Sequence, residues 1–187
     1  HTGTEMDAVA EHLRRAGHTV HCPTLAGNLP QDDRSRIGLS DAVDSLVSFL
    51  ETQDLREVRL VGHSYGGMVI SGTAERALPR IRRLVYVNAF VPLPGECLND
   101  MVPPHYVTMF DAIAKAQNNA VVLPFEIWRE AFINDADISL ARSSYEQLNP
   151  HPYRTFTEAV RLRQPLAAMA VGKSYVNCRQ DTAMPHG

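Results

Sequence analysis

Apolar residues recur at helical spacing in Met6, Val9, Ala10 and Leu13, and Gly17 ends the run, so a helix is predicted over Met6 to Ala16. The short stretch His18 to Cys22 reads as an extended segment closed by Pro23, and Leu25 to Gly38, a mixture of turn formers and charges, as a loop. Ser40 is placed to cap a second helix carrying Val43, Leu46, Val47 and Leu50 on one face. Glu57 to Val61 reads as a buried strand. Met68, Val69, Ile70, Ala74 and Ala77 follow as a mainly apolar helix before Pro79. Ile81 to Val87, with the run Leu84-Val85-Tyr86-Val87, is the next strand. Alternating helix and strand predict a mostly parallel sheet with helices on both faces, an α/β class.

The rhythm breaks after Val91. Pro92, Pro94, Pro103, Pro104, Pro124, Pro150 and Pro152 interrupt helix-like pieces such as Phe125 to Ile133 and Thr155 to Leu162. This reads as an inserted helical cap over residues 91–163, set into a core made of residues 1–90 and 164–187. Lys173 to Cys178 resumes as a strand.

The chemistry concentrates where the first buried strand meets its helix, in Gly62-His63-Ser64-Tyr65-Gly66-Gly67. A serine hydroxyl is a weak nucleophile until a base takes its proton, so it must be pushed into reach of one. A tight strand-to-helix turn does this, and Gly62 and Gly66 are expected to remove side chains that would clash there. The helix start aims free N–H groups at the same spot, which favours an anionic intermediate. The bare G-x-S-x-G pattern arises by chance in about one chain of this size in twenty, so its strand and helix context carries the weight.

Composition narrows the alternatives. A chain of 187 residues with net charge −3 has no basic stripe, so no nucleic-acid partner is expected. No apolar run approaches a membrane span and no signal peptide opens the sequence, which points to a cytoplasmic protein without a membrane partner. Cys22, Cys97 and Cys178 are odd in number and far apart, which argues for free thiols. Eight histidines come without a thiolate pair or an H-E-x-x-H helix, so no metal site is expected. In open parallel sheets ligands bind beyond the carboxyl ends of strands, which draws attention to Ser64, Asn88 and Asp181.

Five stretches together resemble the α/β-hydrolase superfamily, within it the small branch of plant methylesterases, hydroxynitrile lyases and similar bacterial esterases. They are Ala16 to Val20, Val61 to Met68, Leu84 to Pro92, Leu148-Asn149-Pro150-His151-Pro152 and Tyr175 to Pro185. The resemblance implies the α/β-hydrolase fold, with Ser64 as nucleophile, the Tyr65 N–H as one oxyanion donor and Asp181 as the acid that orients a histidine. It implies a serine esterase acting on a small-molecule ester through an acyl-enzyme, with no cofactor. The alternatives are a hydroxynitrile lyase using the same triad, or a binding protein that lacks the base. Trp128, Tyr106 and Phe125 are candidate walls of a pocket between elbow and cap, and His63 a further substrate-side residue. A homodimer stays open.

Two family pieces have no counterpart in this sequence. A strand ending in His-Gly-small, which supplies the second oxyanion donor, precedes the segment matched by His1-Thr2-Gly3, and the triad histidine is expected beyond Gly187. His63, His105, His151 and His186 are poor substitutes, because a base must reach the hydroxyl while a third group holds it. A missing interior strand would leave backbone groups unpaired at about 1–3 kcal/mol each, so additional residues at both ends, or a partner in that slot, are expected.

Overall fold

The computed structural model describes residues 2–184; His186 and the expected triad histidine lie outside the described residues. A 3-10 turn, Gly3–Met6, runs into helix α1, Asp7–Arg15. Gly17 ends it in the left-handed region at φ 91°, with His18 N donating to Leu13 O at 3.1 Å, a glycine stop of the kind the sequence indicates. Helix α2 spans Leu39–Thr52 and strand β1 Val58–Ser64. Helix α3, Gly66–Ala77, leads to strand β2, Ile81–Ala89.

The sheet is parallel, in the order β1, β2, then β5, which is Gly172–Val176. Register puts Leu60 beside Leu84 and Gly62 beside Tyr86 on one face, and Val61 beside Val85 and His63 beside Val87 on the other. Helix α3 packs on the first face. Its Met68, Val69, Ile70, Ser71, Gly72, Thr73 and Ala74 are all buried, as a helix sandwiched between sheet and α2 requires. Ser71 Oγ is satisfied there by Gly67 O at 2.6 Å and Tyr86 Oη at 2.9 Å. On the second face Val61 is 56% exposed, a high value for a valine in a parallel strand.

Two local expectations change. His18 to Cys22 joins no ladder among the described residues: Arg14 Nη2 donates to Val20 O at 2.9 Å, and Cys22 lies against Gly3, so its backbone is met by its own helix rather than by a sheet edge. The cap of α2 is Gly38, not Ser40; Gly38 N donates to Asp41 Oδ2 at 2.8 Å, and the carboxylate suits the helix start.

Between β2 and β5 lie helix α4 (Pro104–Ala116), strand β3 (Ala120–Val121) and helix α5 (Phe125–Ile127). They are followed by a π-helical turn, Trp128–Phe132, helix α6 (Ile138–Tyr145), strand β4 (His151–Pro152) and helix α7 (Arg154–Thr157). The antiparallel pair β3 and β4 accompanies a small cluster of its own, Phe110, Ala114, Val121 and Tyr153, with Phe156 against it. Phe125 to Ile133 is therefore helical but changes pitch at Trp128. Thr155 to Leu162 is helical only to Thr157, because the chain then extends and Val160 exchanges backbone bonds with Gly95 and Glu96.

Candidate active site

Ser64 ends β1 at φ 50°, a left-handed conformation costly for a residue with a Cβ. Such strain persists only where the surroundings over-determine it. Here they do. A Cβ on Gly62 would come within 2.6 Å of Gly66 O, so the chain entering the turn passes directly under the chain leaving it. Gly67 meets the Phe90 backbone so closely that a Cβ would overlap its carbonyl oxygen, and Phe90 N donates to Ser64 O at 3.2 Å. Gly66 faces open space, which corrects the expectation that it relieves a clash. The close approaches belong to Gly62 and Gly67, and the double glycine is the sequence signal for the second.

Helix α3 starts at this turn, with Tyr65 as its N-cap and Met68 N bonding Tyr65 O at 2.9 Å. The amides of Tyr65, Gly66 and Gly67 precede that bond and have no acceptor within the helix, so the Tyr65 N–H sits among donors suited to an oxyanion. The Tyr65 ring turns the other way. It stands edge-on to His151 at 4.8 Å and 5.9 Å from Phe156, and His151 stacks on Phe156 at 4.9 Å. Burial pushes the Tyr65 phenol well above its ordinary value, with the Thr155 hydroxyl opposing and Glu158 adding to the effect. Tyr65 Oη has no well-formed hydrogen bond among the described residues. Thr155 Oγ1 is already engaged by Pro152 O at 2.7 Å and His151 Nε2 at 2.8 Å.

The carboxyl end of the sheet also holds Asn88 and Asp181. Asn88, 4% exposed and at φ 41°, is the penultimate residue of β2 and accepts Cys178 N at 3.3 Å through Oδ1. This ties the exit of β5 to the middle strand. Asp181 lies five residues beyond β5, half-buried, its Oδ1 accepting Ala183 N at 2.7 Å and Met184 N at 3.0 Å. That is the turn-forming use of an aspartate, and it holds the carboxylate in one orientation. Ser64 and Asp181 thus leave the same end of the sheet on strands flanking β2.

The other expected residues are spread more widely. His63 is exposed on the face of β1 opposite Gly62. Tyr106 stacks on Phe110 at 5.8 Å within the cap cluster, and Phe125 meets Tyr145 at 5.3 Å with the Arg142 guanidinium 4.7 Å above its ring. Trp128 stacks on Phe132 at 6.1 Å and its Nε1 donates to Ser144 Oγ at 3.3 Å. A shallow depression lined by Asp32, Arg34, Gln117 and Pro150, and another lined by Asp111, Lys115 and Tyr153, lie away from the elbow. No cluster of three His, Cys, Asp or Glu side chains among the described residues is arranged to hold a metal ion. No helix among them is long and apolar enough to cross a membrane.

A parallel sheet with a strained serine between strand and helix defines a class, and the sequence agrees: residues 3–186 match the Alpha/beta hydrolase family, to which this chain belongs. It is 42% identical over 105 residues to a carbendazim hydrolyzing esterase of Nocardioides sp. (strain SG-4G), a match covering 55% of this chain and 43% of that protein. The chain therefore spans less than half the length of this curated relative. Among solved structures it resembles an extracellular alpha/beta-hydrolase from a Paenibacillus species, described as sharing structural and functional homology with tobacco salicylic acid binding protein 2. That match has TM-score 0.94 and 33% identity, and covers 100% of this chain and 76% of the other. A methylesterase protein, MES16 from Arabidopsis, shares the fold at TM-score 0.77 and 21% identity, with coverage of 99% and 76%.

Proposed function

We propose that the protein is a serine hydrolase that cleaves small carboxylic esters, with Ser64 as nucleophile, the Tyr65 amide as an oxyanion donor and Asp181 as the acid. The observation that carries this reading is Ser64 at φ 50°, locked between Gly62 and Gly67 at the start of α3. The esterase related in sequence supports an ester as the substrate class.

Ser64 Oγ attacks the ester carbonyl carbon, and a histidine, following Asp181 in the family's chain order, takes the hydroxyl proton and gives it to the departing alcohol. Water then repeats the cycle against the acyl-enzyme. The tetrahedral oxyanion forms beside the Tyr65 N–H, and losing one such donor costs about 10²- to 10³-fold in rate. Residues 91–163 cap the elbow, with Trp128 as the aromatic wall that we put first. This chemistry requires no cofactor.

Pre-steady-state hydrolysis of p-nitrophenyl acetate tests the reading. A burst of p-nitrophenol stoichiometric with enzyme, abolished in Ser64→Ala, is expected. Turnover that survives Ser64→Ala, or cyanide release from mandelonitrile without any burst, contradicts it.

A further inference from the structure

Asp181 is bracketed by two hydrogen bonds to the cap, one at the residue before it and one at the residue after. Thr182 Oγ1 lies 3.1 Å from Ala131 O and 3.5 Å from Glu130 O, and Asn134 Nδ2 donates to Gln180 O at 3.3 Å. Both partners come from the π-helical turn Trp128–Phe132 and its exit. There Ile133 N bonds Trp128 O at 3.0 Å and the chain leaves the helix at Ile133, φ −140°. The helix N–H groups that would take the Glu130 and Ala131 carbonyls are therefore missing, as at any helix end, and the Thr182 hydroxyl takes their place. Arg129 Nη1 holds Asn134 O at 3.2 Å and so steadies the second tie. π-Turns of this kind occur frequently at functional sites.

We propose that this π-turn seats the acid: Thr182 and Asn134 are positioning residues that set where the Asp181 carboxylate stands relative to Ser64, which couples the cap to the charge that holds the base. The proposal rests on the serine hydrolase reading. Both act through main-chain carbonyls rather than on the reacting groups. Their effect passes through the loop, whose far end Asn88 anchors at Cys178 N. With its Oδ1 committed to Ala183 N and Met184 N, the Asp181 carboxylate turns only with its own loop.

Thr182→Val removes the donor at equal size and Thr182→Ser keeps it. In the catalytically competent protein, Thr182→Val is expected to lower kcat about 3- to 10-fold, the rate equivalent of one hydrogen bond, with KM changed less than about 2-fold. The acidic limb of the kcat/KM profile moves to lower pH, because a displaced carboxylate raises the histidine pKa less. Amide exchange at Ala183 and Met184 accelerates several-fold, about as expected for loss of one supporting bond. Thr182→Ser restores all three, and Asn134→Ala reproduces them in weaker form. Unchanged exchange at Ala183 and Met184, or slower turnover with an unmoved acidic limb, overturns the proposal while leaving the hydrolase intact. A wild-type Ser64 that a fluorophosphonate fails to label removes the hydrolase reading, and the positioning role with it.

Discussion

Ser64 is held by main chain: Gly62 and Gly67 bring backbone against backbone on either side of it, and Phe90 N donates to its carbonyl. The loop of Asp181 is held by side chains: Asn88 and Asn134 reach in from other segments, and Thr182 reaches out from the loop to the Ala131 carbonyl. The first arrangement follows from geometry that only glycine permits, so it tolerates almost no substitution and leaves a short pattern in the sequence. The second depends on a loop hydroxyl and on an amide and carbonyls of residues 130–134, so it is sensitive to where that segment lies. One end is fixed by backbone packing, and the other by bonds to residues 130–134.

The largest effect that separates the two ends is loss of the nucleophile. Ser64→Ala should reduce ester turnover on the order of 10⁴- to 10⁶-fold with no loss of cooperative thermal unfolding. A variant retaining a tenth of the activity would mean that the strained turn serves something other than nucleophilic attack. Next come the glycines. Gly67→Ala should destabilise by about 2–3 kcal/mol through overlap with the Phe90 carbonyl, whereas Gly66→Ala, facing open space on a helix, should be neutral or slightly stabilising. Equal melting temperatures for the two variants would break the contrast between them.

Relief of strain is a smaller effect. Ser64→Gly should raise stability by about 1 kcal/mol in urea titration while abolishing turnover, because glycine adopts φ 50° without penalty. A loss of stability would show that the left-handed serine is not strained. The smallest change is expected at the neighbouring ring. Tyr65→Phe removes a buried hydroxyl that lacks a well-formed partner, so stability should shift by less than about 1 kcal/mol and turnover should survive, since the oxyanion role proposed for this position belongs to the amide. A large loss on either measure would assign the phenol a role.

The first two strands were legible because they carry short apolar runs, Leu84 to Val87 above all, and the elbow because its glycines fall at fixed offsets from Ser64. What escaped depended on partners distant in sequence. His18 to Cys22 has the composition of a strand, but composition does not say which edge it will meet, and here Arg14 and Gly3 meet it instead. Gly66 and Gly67 are adjacent and indistinguishable by pattern; only the position of Phe90 shows which one is indispensable. Thr182 and Asn134 left no periodic signal, because each is defined by a contact some fifty residues away in sequence, and the pitch change at Trp128 rests on the local bond from Ile133 N to its carbonyl. The aromatic residues of the cap were visible as residues, but Tyr106 and Phe125 find their neighbours inside the cap itself.

Every proposed role depends on Ser64 being an activated nucleophile. Incubating the protein with a fluorophosphonate and mapping the adduct by peptide mass spectrometry tests it directly. One adduct per chain is expected, on the peptide containing Gly62 to Gly67, lost in Ser64→Ala. A protein that stays unlabelled, or one labelled at another serine, contradicts it.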